Sequence, residues 1–124
     1  VEIWGADRQP KALPAEKIMI RFKYNTNEFT EQGLEALTGF ADILANHLDA
    51  RVRITGYTDS AGNQKYNERL SEFRANIVKG FLLGRGAKPD QFEISGRGAQ
   101  NPIAKNDTAW GRMMNRRVEI EVIE

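Results

Sequence analysis

Apolar and polar residues alternate with two different periods along this chain, and each change of period marks an element. Ile18, Ile20 and Phe22 alternate with Met19, Arg21 and Lys23, the period-two pattern of a strand with one buried face. A polar loop from Tyr24 to Glu28 follows. Thr30 is then placed to cap a helix beginning at Glu31, in which Leu34, Leu37, Ala41, Leu44 and Leu48 recur every three or four residues. Arg51 to Tyr57 reads as a second strand, with Val52 and Ile54 on one face and Arg51, Arg53 and Thr55 on the other. After a turn at Ser60–Asn63, a second helix runs to about Leu83, where Gly84 and Gly86 supply its stop. Pro89 and Asp90 turn the chain into a short strand at Phe92 and Ile94. Ala99–Asn115 is mostly irregular, with a short helical turn around Thr108–Met114. Val118, Ile120 and Val122 then alternate with Arg117, Glu119 and Glu121 in a last, half-buried strand. The order predicts an α/β sandwich: a βαβαβ core plus a C-terminal strand, in a small mixed sheet with two main helices on one face.

One residue breaks the pattern of the second helix. At 100° per residue, Leu70, Ile77, Val78 and Phe81 form an apolar stripe, and Arg74 falls near its middle with Asn67 beside it. Lys65, Glu68, Arg69, Glu72 and Lys79 occupy the opposite, solvated face. A guanidinium on the core side of a helix needs a partner, because an unpaired buried charge costs several kcal/mol. Asp59, just before the helix, is the nearest candidate. Two readings stand: an internal Asp59–Arg74 pair that closes the helix start against the sheet, or two opposed charges lining one pocket for a ligand that carries both an ammonium and a carboxylate. Thr58 and Asn67 are the neighbours of that constellation. Charge logic does not separate a free amino acid from the free end of a diaminodicarboxylic acid.

Composition narrows the setting. At 124 residues the chain fits one domain with a core of its own, and 40% hydrophobic with 28% charged residues is ordinary for a globular protein. Residues 1–16, with Pro10 and Pro14 and weak periodicity, read as a linker or N-terminal arm on a domain of residues 17–124; Trp4 in that arm is expected to pack on the domain surface. The sequence opens at Val1 without an apolar leader, as a mature chain or an excised domain would. No apolar run reaches the length of a membrane span, so direct membrane insertion by this segment is not expected. Eighteen basic against 17 acidic side chains give +1, no global field for nucleic acid. Cysteine is absent, which excludes disulfides and thiolate metal sites and says nothing of compartment.

Little chemistry survives this filter. There is no cysteine nucleophile, no GxSxG, HExxH, P-loop or dinucleotide pattern, and the single His47 has no local second ligand. Asp59, Ser60 and Asn63 lack the later Glu of a calcium loop. Arg112, Arg116 and Arg117 form a basic cluster suited either to phosphate or, the favoured reading, to tying the final loop to the sheet and to Glu119 or Glu121. The expectation is a binding module, not an enzyme, with no cofactor and no metal.

The stretch GYTDSAGNQKYNERLSEFRANIVKGFL contains a TD-x-x-G turn followed by N-x-x-LS-x-x-RA-x-x-V. Downstream, ISGRGAQNPIAKNDTAWGRMMNRRVEIEV contains G-x-G-x-x-x-PIA-x-N-x-T-x-x-GR-x-x-NRRVEI. These motifs resemble the OmpA-like C-terminal peptidoglycan-binding domain over about Lys17 to Val122. The resemblance implies a periplasmic module that holds the wall through the meso-diaminopimelate residue of the peptidoglycan stem peptide, attached to the outer membrane through a segment outside this chain. It also fits the wall-clamping part of a larger envelope machine, such as a flagellar stator or secretion system, and leaves open a homodimer or an envelope-protein partner. Carried onto matching positions, Asp59 would take the ligand's ammonium and Arg74 its carboxylate. Asn67 and Thr58 would shape the site, Asn25 in the loop after the first strand would join it, and Arg116 of the NRR element would be mainly structural. Phe73 stands where a polar residue is expected, to meet another part of the parent protein or to border the core.

Overall fold

The computed structural model describes residues 11–123; the expectation for Trp4 lies outside them. Three helices and four strands follow the predicted order: β1 (Ile18–Ile20), α1 (Glu31–Leu44), β2 (Val52–Tyr57), α2 (Gln64–Gly84), β3 (Phe92–Gly96), α3 (Ala109–Asn115) and β4 (Arg117–Val122). The sheet order is β1-β4-β2-β3. β4 runs antiparallel to both of its neighbours, and β2 and β3 are parallel. The α/β sandwich is as the alternation requires, and the last strand fills the middle of the sheet. Periodicity cannot reveal that position, because it reports which face is buried and not which neighbour is bonded.

The core lies between the sheet and the two long helices. Ile20, Val52, Ile54, Val118 and Ile120 point into it from the strands, and Leu37, Phe40, Leu44, Val78 and Leu82 from the helices. Thr30 caps α1 by accepting the Gly33 N–H at 2.9 Å. Leu34 and Leu48, expected on the buried stripe of the helix, are exposed, Leu48 beyond its end, and Phe40 takes the interior position. Upstream of β1, Leu13 packs against the core and the Lys11 carbonyl meets His47 Nε2 at 3.0 Å.

The second helix corrects the expected stripe. Its buried residues are Asn67, Ser71, Ala75, Val78 and Leu82, so the face bearing Leu70, Arg74, Ile77 and Phe81 is the half-buried flank. The cause is a close approach. Gly56 and Gly96 are directly paired across β2 and β3, and a Cβ on either would collide with the backbone of α2 at Ser71, or at Glu68 and Glu72. The helix settles onto this bare patch through its small residues, Ser71 and Ala75. Small side chains score poorly as core in a hydropathy pattern, yet they set the helix–sheet distance. Ser71 Oγ also accepts the Gly98 N–H at 3.0 Å, which pins the loop after β3. Phe73 is 53% exposed and does not border the core.

Candidate functional site

The site forms where three strand ends meet beneath the first half of α2. The registers Ile20↔Val118 and Tyr57↔Arg117 run on, one or two residues past the strands, to set Arg116 between Phe22 and Thr58. Side chains alternate along a strand, so Arg116 shares the helix side with Val118 and Ile120, whereas Arg117 points to the other face with Glu119. Two adjacent arginines are thereby sent to opposite sides of the sheet.

Arg116 Nη1 donates to Asp59 Oδ2 at 2.6 Å, and the other carboxylate oxygen accepts the Ala61 N–H at 2.9 Å. Asp59 is thus fixed from both ends, by a strand and by its own turn. Thr58 is buried: its N–H donates to the Gly98 carbonyl at 2.7 Å and its hydroxyl to the Asp59 carbonyl at 2.8 Å. Asn67 is also buried and donates from Nδ2 to the Ala61 carbonyl at 2.8 Å, tying the turn to the helix. Gly62 between them has φ of +90°, which a β-carbon would strain. A second tie comes from Asn115, buried behind Arg116. It donates to Asn106 Oδ1 at 2.9 Å, and that oxygen accepts the Ser60 N–H at 3.3 Å.

Arg74 reaches the cavity from α2. Its Nε donates to Asn27 Oδ1 at 3.2 Å and Nη2 to the Thr26 carbonyl at 2.9 Å, while its guanidinium carbon lies 5.1 Å from the centroid of the Phe22 ring. The loop after β1 is therefore shaped around the guanidinium, and Asn25 within it takes a left-handed φ of 58°. Burial lowers the Arg74 pKa, and the nearby positive charge of Arg116 lowers it further, partly offset by Tyr66. Arg74 forms no ion pair with any carboxylate of the described residues.

Asp59, Arg74, Asn67, Thr58 and Asn25 all line one cavity of about 260 Å³, together with Arg116, Phe22, Leu70 and the exposed rings of Tyr24 and Tyr66. The internal Asp59–Arg74 pair considered from the sequence is not formed: Asp59 pairs with Arg116 and Arg74 rests on neutral oxygens. Arg116, read as mainly structural, lines the cavity. Its parity with Val118 and Ile120 was the available signal, obscured by grouping it with Arg112 and Arg117. Those two do tie the final loop: Arg112 bonds the Asn106 carbonyl at 3.0 Å, and Arg117 meets Glu119 at 2.8 Å. Tyr24 and Tyr66 carried no sequence signal beyond their place in polar segments. Among the described residues no cluster of acidic and histidine side chains could hold a metal ion, and no helix is long and apolar enough to cross a membrane.

Comparison with known proteins bears on what such a cavity serves. The model of the OmpA family matches residues 21–116. Outer membrane protein A of Bordetella avium is 39% identical, over 94% of this chain and 63% of that protein. The peptidoglycan-binding protein ArfA of Mycobacterium bovis is 49% identical, over 71% of this chain and 27% of its own length. The chain thus spans less than two thirds of either relative. Among solved structures, the peptidoglycan-associated lipoprotein from Burkholderia pseudomallei superposes with a TM-score of 0.80 at 25% identity, covering 93% of this chain and 97% of that one.

Proposed function

This chain belongs to the OmpA family, and from that membership we propose that it binds peptidoglycan non-covalently through the free end of meso-diaminopimelate in the stem peptide, anchoring a periplasmic envelope protein to the wall. The observation that carries the reading is an acid and a guanidinium without a carboxylate partner facing one small cavity. Asp59 accepts from the ligand's ammonium, and Arg74 donates two parallel hydrogen bonds to its carboxylate. Thr58 and Asn67 hold the turn that presents Asp59, and Asn25 shapes the wall opposite α2. Residues 17–124 make up the binding domain, with 1–16 as the arm that leads into it. One relative is named a peptidoglycan-binding protein and another a peptidoglycan-associated lipoprotein, which supports the same reading.

The test is a titration of the chain with soluble muropeptides followed by backbone chemical shifts. Diaminopimelate peptides should perturb Thr58–Ala61, Asn67 and Arg74, and Lys-containing peptides should bind at least about tenfold more weakly, for want of the carboxylate that Arg74 would grip. Arg74→Ala should remove the response, and Asp59→Ala should weaken it. Retained binding in both variants would overturn the assignment.

A further inference from the structure

We propose that recognition in this cavity is weighted toward the ligand's carboxylate: the site accepts a terminal carboxylate with or without its neighbouring ammonium, and rejects the matching carboxamide. The inference rests on the diaminopimelate reading and ranks the two groups that reading invokes. Its basis is the balance of charge. Asp59 is the single carboxylate lining the cavity, against the guanidiniums of Arg74 and Arg116 and the Lys23 ammonium, which pairs outside the cavity lining with Glu28 at 3.6 Å. Arg116 has already taken one oxygen of Asp59 at 2.6 Å, and the Ala61 N–H has taken the other. An incoming ammonium must therefore share Asp59 with a cation and a backbone N–H, one already on each oxygen.

Arg74 is in the opposite condition. The Thr26 carbonyl and Asn27 amide oxygen orient its guanidinium without cancelling its charge, and they leave Nη1 free of any described partner. Burial, and after it the proximity of Arg116, lowers its pKa, as expected of a part-buried cation where positive charge is in excess of the carboxylates beside it. A carboxylate on Arg74 relieves that excess. A carboxamide leaves the excess in place, and its ammonium adds another positive charge. A ligand with a carboxylate and no ammonium forgoes only a shared contact with Asp59.

Three soluble stem peptides separate these cases by calorimetry on the full chain. They end in free diaminopimelate, in its distal carboxamide, and in a des-amino analogue that keeps the distal carboxylate. The carboxamide is expected to bind at least about tenfold more weakly than the free acid, and the des-amino peptide to lose less than the carboxamide does. In Arg116→Gln the ammonium no longer competes with a guanidinium for Asp59, so the two losses should converge or change order. Equal binding of acid and carboxamide, or a larger loss for the des-amino peptide, would overturn the proposal on the wild-type chain alone, whether or not the variant folds. If free diaminopimelate leaves the cavity residues unperturbed, the functional reading itself fails and this inference falls with it. If it perturbs them and the carboxamide does so at the same concentrations, only the ranking fails.

Discussion

Arg117 and Arg74 are both drawn out of solvent, on opposite sides of the sheet, and their surroundings could hardly differ more. Arg117 is 3% exposed: it bonds Glu119 through Nε at 2.9 Å, the Asn115 and Asn101 carbonyls through its other nitrogens, and lies 3.9 Å from the Tyr57 ring centroid. Lys17 reaches the second oxygen of Glu119 at 3.3 Å, so the cluster is closed on itself. Arg74 is held just as firmly, by acceptors that carry no charge. A cation matched by an internal carboxylate stabilises the fold. One that is oriented but left unneutralised keeps its charge for a molecule from outside.

The largest effect that could break this contrast is on stability. Arg117→Ala leaves the buried Glu119 with only the half-exposed Lys17 as its partner and should cost about 3 kcal/mol in urea unfolding, whereas replacing Arg117 and Glu119 together by Met and Leu should cost much less. A single variant no worse than the double would show that the pair is solvated. Next, Arg74→Ala should abolish muropeptide binding while unfolding at a denaturant concentration much nearer wild type than Arg117→Ala does. A loss of stability as large as that of Arg117→Ala would make Arg74 a structural residue. Smallest of all, Arg53→Ala removes exposed pairs to Glu93 and Glu121 at 3.3 and 3.4 Å on the same open face as Arg117, and should change stability by no more than about 1 kcal/mol. That ranks burial above the mere presence of a salt bridge.

Much of this was legible in the sequence, for reasons that differ by element. The strands and α1 announce themselves by period, and Thr30 and the glycines after α2 mark ends by local chemistry. Asp59 and Arg74 stood out because a charge in or beside an apolar stripe needs a reason. The partner of Asp59 did not, because Arg116 lies 57 residues away and reaches it only through the register of β4 between β1 and β2. The buried stripe of α2 was misplaced for a related cause. Ser71 and Ala75 are interior because Gly56 and Gly96 leave room for a helix backbone, a relation between three segments that no single window contains.

The central position of β4 has a bearing on when this protein becomes competent. Until β4 arrives, β1 has no strand to bond and β2 has only β3, so the sheet cannot assemble progressively as the chain is made. Arg116, at the threshold of β4, is delivered in the same step, and with it the clamp on Asp59. Without β4 in place, the carboxylate of Asp59 keeps only the bond from its own turn, to the Ala61 N–H. Completing the sheet and completing the cavity are, by this layout, one event.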